Sequence, residues 1–270
     1  MKLLYLHRAS SVLLAVIALV YVSGAGGEEA LKWIGGLASM TFALIATLLL
    51  WYAALQFGKQ DAARWTWQLL ALGTLAFAVA EGIYFVEENL LQFSEEELFP
   101  SIADAFWSVA YLFYLAGVLV MAVAYNRSGL PRPSFIRNSL PCLLLLGGLS
   151  IAMYQMVLRD ILDDAELDVL SRALYWLYPV MDLLILMPVI WLALITRMLG
   201  EGAFSRPWRA LVPGFFIMCM ADLYYAWLDH QDAYQTGNYV DLMWDASYWL
   251  IGLSALFQIK LLKTVQGEQS

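Results

Sequence analysis

Two stretches of this chain carry acids and aromatics in matching order. Glu81 and Tyr84 are followed further along by Asp104-x-x-Trp107-x-x-x-Tyr111. Asp222 and Tyr225 are followed by Asp241-x-x-Trp244-x-x-x-Tyr248. On a helix, spacings of three and four put these side chains on one face. Asp182 stands four residues after Tyr178, and Asp245 four after Asp241, which adds two acids to the same kind of surroundings. A carboxylate at the centre of a lipid-spanning helix costs about 2.5–3.5 kcal/mol on insertion scales. Acids placed twice at matched positions are expected to point into a shared polar interior.

Several chemistries are open to such acids. With tryptophan and tyrosine walls they suit a cation or an amphipathic ligand. Paired carboxylates could activate a water for hydrolysis, or carry protons or cations in transport. The plain alternative is acid–tyrosine and acid–tryptophan hydrogen bonds that join helices. For Asp104 and Asp241, favourable placement at a helix N-terminus is a further structural role. Few basic residues share their depth: Arg172 and Lys260 fall near helix ends, where long side chains reach out to water. The candidate ligand-binding set is Glu81, Tyr84, Asp104, Trp107, Tyr111, Tyr178, Asp182, Asp222, Tyr225, Asp241, Trp244, Asp245 and Tyr248.

Other chemistries lack their residues. The histidines are His7, at the start of the chain, and His230, in a polar connection. They cannot assemble a His-rich metal site or bis-histidine haem ligation. No lysine sits in mid-helix to carry a Schiff base, and no phosphate loop or nucleophile elbow is present. No catalytic residue and no metal ligand is assigned, and the cofactor is unknown.

The elements that must position these residues are apolar. The chain is 62% hydrophobic and 14% charged, with a mean hydropathy of +0.68, which marks a polytopic membrane protein. Apolar runs fall at about 9–25, 33–57, 65–87, 101–125, 139–158, 170–196, 207–229 and 239–262. Each is long enough to cross a hydrocarbon core of about 30 Å as a helix. The runs are continuous rather than alternating, which excludes a barrel. The expected fold is an all-α integral membrane domain of eight transmembrane helices over residues 1–270, with no attached soluble unit.

Charge alternates between connections. Lys2 and Arg8, Lys59 and Arg64, Arg127, Arg132 and Arg137, Arg197, Arg206 and Arg209, and Lys260 and Lys263 fall on one side. Glu28 and Glu29, Glu87, Glu88 and Glu95–Glu97, Asp160, Asp163, Asp164, Glu166 and Asp168, and Asp229 and Asp232 fall on the other. The positive-inside rule then places both termini in the cytoplasm of a bacterial or archaeal cell, with the protein multi-pass in its cytoplasmic (inner) membrane. The net charge of −8 argues against nucleic acid as a partner; membrane lipids are the expected neighbours. Cys142 and Cys219 read as small buried apolar residues. The N-terminal run resembles a signal peptide but reads as a retained first helix, because its removal would break a four-plus-four symmetry.

That symmetry follows from the repeated motif, which predicts two parallel four-helix repeats, about 9–125 and 139–262, related by an axis along the membrane normal. Gly35-Gly36, Gly73, Gly117, Gly147-Gly148 and Gly252 are expected to let helices approach closely. Pro179, Pro188 and Pro213 are expected to kink their helices or free backbone carbonyls.

The motifs Ser101-Ile-Ala-Asp104-Ala-Phe-Trp107-Ser-Val-Ala-Tyr111, Tyr178-Pro179-Val-Met-Asp182, and Ala221-Asp222-Leu-Tyr-Tyr225 running through Tyr234 to Asp241-Leu-Met-Trp244 resemble a bacterial membrane sensory module. That module is the multi-helix N-terminal region found ahead of diguanylate cyclase (GGDEF), phosphodiesterase (EAL) and histidine kinase domains. The resemblance spans most of residues 70–260. It implies an input module that perceives something in or outside the membrane and signals to a cytoplasmic partner or output domain. The chain stops after the eighth run, so the expectation is a version that works through a partner or one whose output domain is missing. Two rivals remain: an intramembrane lipid hydrolase resembling lysoplasmalogenase, and a small proton- or cation-coupled transporter.

Overall fold

The computed structural model of the protein describes residues 2–93, 98–128, 140–164, 167–197, 200–231, 233–265 and 267. Of the charged connections named above, Glu95–Glu97, Arg132, Arg137, Glu166 and Asp232 lie outside the described residues, as does the side chain of Cys142. Cys219 is free and buried.

The described residues form helices and turns, with no strand among them. In chain order the α-helices are α1 (Lys2–Ser23), α2 (Gly27–Leu55), α3 (Ala62–Asn89), α4 (Ile102–Arg127), α5 (Leu140–Met153), α6 (Arg159–Asp163), α7 (Val169–Thr196), α8 (Arg206–Asp229) and α9 (Tyr239–Val265). A π-helical turn, Tyr154–Leu158, carries α5 into α6. Helices α7 and α8 run through Pro179, Pro188 and Pro213 without ending.

Six helical stretches are long and apolar enough to cross a membrane: Tyr5–Ser23, Gly27–Leu55, Ala62–Asn89, Ile102–Arg127, Val169–Thr196 and Ala203–Asp229. The two other expected spans differ from these for physical reasons. The apolar part of α5, Leu143–Met153, is short before the π-helical turn. Helix α9 is 27 residues long, but it buries Asp241, Asp245, Ser247, Ser254 and Gln258. Those polar residues face other helices and lower its hydropathy.

Six helices close a ring. Neighbours in order are α2, α3, α4, α7, α8 and α9, and α9 returns to pack on α2. Helix α1 lies outside the ring against α9 and α2, and α5 lies outside it against α7. The ring is tightened where small residues let backbones approach. A Cβ at Gly73 of α3 would meet the Tyr114 ring of α4 at 2.5 Å, and one at Gly117 of α4 would meet the Thr66 carbonyl oxygen at 3.1 Å. The interior is aromatic at its centre, where Phe77 packs on Tyr111, Tyr114 and Tyr248. Trp67 stacks on Trp208 towards the end of the ring that carries the basic connections.

Side chains cap three helix starts, and at α9 the cap is Asn238, whose Oδ1 accepts the Val240 backbone N–H at 2.7 Å. Ser101 and Asp104 form a capping box at α4. At α7, Asp168 Oδ1 accepts the backbone N–H groups of Leu170 at 2.7 Å and Ser171 at 3.1 Å. Hydrogen bonds to this carboxylate, led by that from the Ser171 hydroxyl, hold it below its ordinary range. Arg172 reaches back past the start of α7 and donates to the Asp164 and Leu167 carbonyl oxygens.

Candidate functional site

Glu81 lies two turns from the end of α3 and Asp222 two turns from the end of α8, whereas Asp104 and Asp241 open α4 and α9. Because α3 and α8 run opposite to α4 and α9, all four acids meet at one end of the ring, the end of the acidic connections. They line a common cavity of about 80 Å³. Its wall also includes Tyr84, Trp107, Tyr111, Tyr178, Tyr225, Trp244 and Tyr248 from the candidate set. Asp182 and Asp245, which the sequence grouped with these, are not on that wall.

The deep pair of acids is held by a crossed set of donors. Trp244 Nε1 of α9 donates to Asp222 Oδ1 at 2.7 Å, and the Tyr111 hydroxyl of α4 donates to Asp222 Oδ2. The Tyr248 hydroxyl of α9 donates to Glu81 Oε1 at 2.9 Å, and the Trp107 side chain of α4 lies beside Glu81. Each acid thus has beside it the tryptophan of the helix that follows it in the chain and takes its tyrosine from the other copy of the motif. The rings repeat the pattern: Tyr84 lies 5.8 Å from Trp107 at 48°, and Tyr225 lies 5.6 Å from Trp244 at 52°.

The shallow pair combines a cap with a tyrosine. Asp104 Oδ2 accepts the Ser101 backbone N–H at 2.8 Å, and its Oδ1 accepts the Tyr178 hydroxyl at 2.5 Å. Asp241 Oδ2 accepts the Gly237 backbone N–H, and its Oδ1 accepts the Tyr234 hydroxyl at 2.8 Å. The helix-terminus role and the cavity role therefore coincide in the same side chains. Burial pushes the Tyr234 phenol above its ordinary range and the Asp241 carboxylate adds to the shift, so this tyrosine stays a donor.

Asp182 and Asp245 form a second layer. Asp182 lies beside Asp222 and Tyr111, and its Oδ2 is buried without a hydrogen-bond partner among the described residues. Asp245 Oδ1 accepts the Ser39 hydroxyl at 3.0 Å, while its Oδ2 is likewise buried and unpartnered among those residues. Buried carboxyl oxygens without donors are uncommon, and here both stand behind the cavity wall.

Above the cavity lies a wide vestibule of about 1370 Å³. Tyr84, Leu98, Phe99, Tyr175, Tyr225, Tyr234 and Thr236 border both spaces, so the cavity opens upward through an aromatic neck. The vestibule is lined by Glu28, Glu29, Glu88, Asp164, Asp168 and Asp229, against Lys32 and His230. Lys32 Nζ sits 3.6 Å from Glu88 Oε1, and that oxygen also accepts the Thr236 hydroxyl at 2.7 Å.

Ser39, Phe77, Tyr175 and Thr236 also line the cavity but were outside the sequence-derived set. Gly35 and Gly36 carried a signal only for close packing, yet they line the cavity too. Ser39 is one small hydroxyl within a long apolar run of α2, and nothing in its spacing marks it. Among the described residues, no group of three or more His, Cys, Asp or Glu is arranged to hold a metal ion. No family model matches this chain, and no curated protein or solved structure matches it either.

Proposed function

We propose that the protein is a non-enzymatic, eight-helix membrane protein of two parallel four-helix repeats, and that its cavity is the ligand site of a sensory input module. The observation that carries this is the crossed donor set. Glu81 and Asp222 each bind the tyrosine of the other motif copy, so a molecule between them touches both halves of the ring at once. The ring order supports the repeat: exchanging α2, α3 and α4 with α7, α8 and α9 leaves every neighbour relation in the ring unchanged. The loop charges support cytoplasmic termini and an outward-facing vestibule.

A ligand that draws on Glu81 or Asp222 competes with the Tyr248 and Tyr111 hydroxyls for the same oxygens. Helices α9 and α4, which carry those tyrosines, run from the cavity to the basic end of the ring. A change in the crossed bonds is thereby passed along two helices to the side where a signalling partner would dock.

The test is to purify wild type, Asp104→Asn and Asp222→Asn, compare their melting, and identify what copurifies. The expected outcome is folded variants that retain less of the bound molecule. Strongly lowered melting with unchanged bound material would make the acids structural. Lysolipid turnover by wild type that vanishes in Asp222→Asn would replace the sensory reading with the enzyme.

A further inference from the structure

We propose that the cavity takes the ammonium end of a slim primary amine, with the rest of that molecule rising through the aromatic neck into the vestibule. This rests on the ligand-site reading above. The cavity wall carries Glu81, Asp104, Asp222 and Asp241, and no Lys, Arg or His among the described residues. Four carboxyl groups with no basic partner on the wall are complementary to a cation and not to an anion. Behind the wall, the Oδ2 atom of Asp182 is buried, unpartnered among the described residues and beside Asp222. The residue is only 2% exposed, so it backs Asp222 with a further carboxyl and brings no cation to the wall.

The walls choose among cations. The Tyr84–Trp107 and Tyr225–Trp244 ring pairs flank the deep acids. Aromatic faces attract an organic ammonium, which sheds its water more readily than a small metal ion does. No metal-holding cluster is present among the described residues. Size and hydrogen bonding then choose among ammonium groups. The cavity of about 80 Å³ is roughly half the ~150 Å³ that admits a benzene ring. It admits a primary ammonium on a narrow chain, whose three N–H donors match the carboxyl oxygens of the wall, whereas a trimethylammonium group has no N–H to offer them.

The vestibule chooses the source. An ammonium group could arrive as a free amine or as the ethanolamine headgroup of a phospholipid. The phosphate of a headgroup would stand in the vestibule, against Glu28, Glu29, Glu88 and Asp168 with Lys32 the opposing cation. The same rim that repels phosphate concentrates free cations. The geometry favours the free amine.

The experiment measures melting of the purified full chain in detergent against n-propylammonium. The controls are 1-propanol, which has the same shape without the charge, tetramethylammonium and sodium chloride. Propylammonium is expected to raise the melting temperature saturably, and the three controls are not. Glu81→Gln and Asp222→Asn should raise the half-saturating concentration at least tenfold. Tyr84→Leu, which removes a ring but no acid, should raise it several-fold and serves if Asp222→Asn does not fold. An equal response to 1-propanol, tetramethylammonium or sodium, or an unchanged response in Glu81→Gln and Tyr84→Leu, overturns the amine. Repeating the titration in nanodiscs separates the sources. A response equal in phosphatidylethanolamine and phosphatidylglycerol discs supports the free amine, and one abolished only by phosphatidylethanolamine overturns it in favour of the lipid. If a neutral or anionic molecule binds instead, and Asp222→Asn abolishes it, the ligand site stands and the amine falls. If nothing shifts melting and both acid variants melt lower, both readings fall.

Discussion

Glu81 and Asp222 each accept a tyrosine hydroxyl and lie beside a tryptophan, and the two sets are related by exchange of the motif copies. Interhelical hydrogen bonds in membranes contribute about 0.6 kcal/mol on average and up to about 1.7 kcal/mol. Tyr111→Phe and Tyr248→Phe should therefore each lower stability by about that amount, and by similar amounts to one another. Denaturant unfolding in mixed micelles would measure both. A large loss for one and none for the other would remove the equivalence of the two acids. Residue types and spacing announced these partners but not their pairing. Tyr111 stands two helical turns after Asp104 on the same face, yet its acid is Asp222, 111 positions away in the chain. Only the ring decides that.

Between helices, close approach and capping make separate predictions. Tyr114 cannot swing away from Gly73, because its ring is buried between Phe77 and Phe215. Gly73→Ala should lower stability by about 1–3 kcal/mol through overpacking. Gly147 of α5 has nothing within 4 Å of an added Cβ, so Gly147→Ala should be neutral or stabilising by about 0.5–1 kcal/mol. Unfolding of the two variants side by side checks the contrast. Both glycines look alike in the sequence, because a small residue in an apolar run carries no sign of whether a neighbour lies against it. Asp168 makes the second prediction for an element. Its folded carboxyl titrates below the ordinary value of 3.8, so its cap is fully made above that value. The cap is lost as pH falls through the lowered value. Asp168→Ala should speed hydrogen exchange at Leu170 and Ser171 at neutral pH, while Asp168→Asn should largely preserve their protection.

For the whole molecule, the charged connections and the ring define two ends, and the proposed orientation can be read directly. With Cys142 and Cys219 replaced, a membrane-impermeant maleimide applied to intact cells should label Leu91→Cys and spare Ser128→Cys. Both positions are exposed, Leu91 beside the acidic end and Ser128 after α4. The reverse pattern would turn the vestibule to the cytoplasm and make its ligand an internal one.

The helical class, the apolar elements, the segregation of charge and the acid–aromatic stripes were all legible along the chain. These are local properties: hydropathy is summed over consecutive residues, and a helical face repeats every three to four. What the stripes enclose was settled only by the packing of helices. Packing closed six helices into a ring and set α1 and α5 outside it. It placed Asp182 and Asp245 behind the cavity rather than in it, and it brought Ser39 of α2 to Asp245, 206 residues away. It also set the cavity's size and the aromatic neck through which it opens. Such features rest on distances between side chains from different helices, and no periodicity along one helix encodes them.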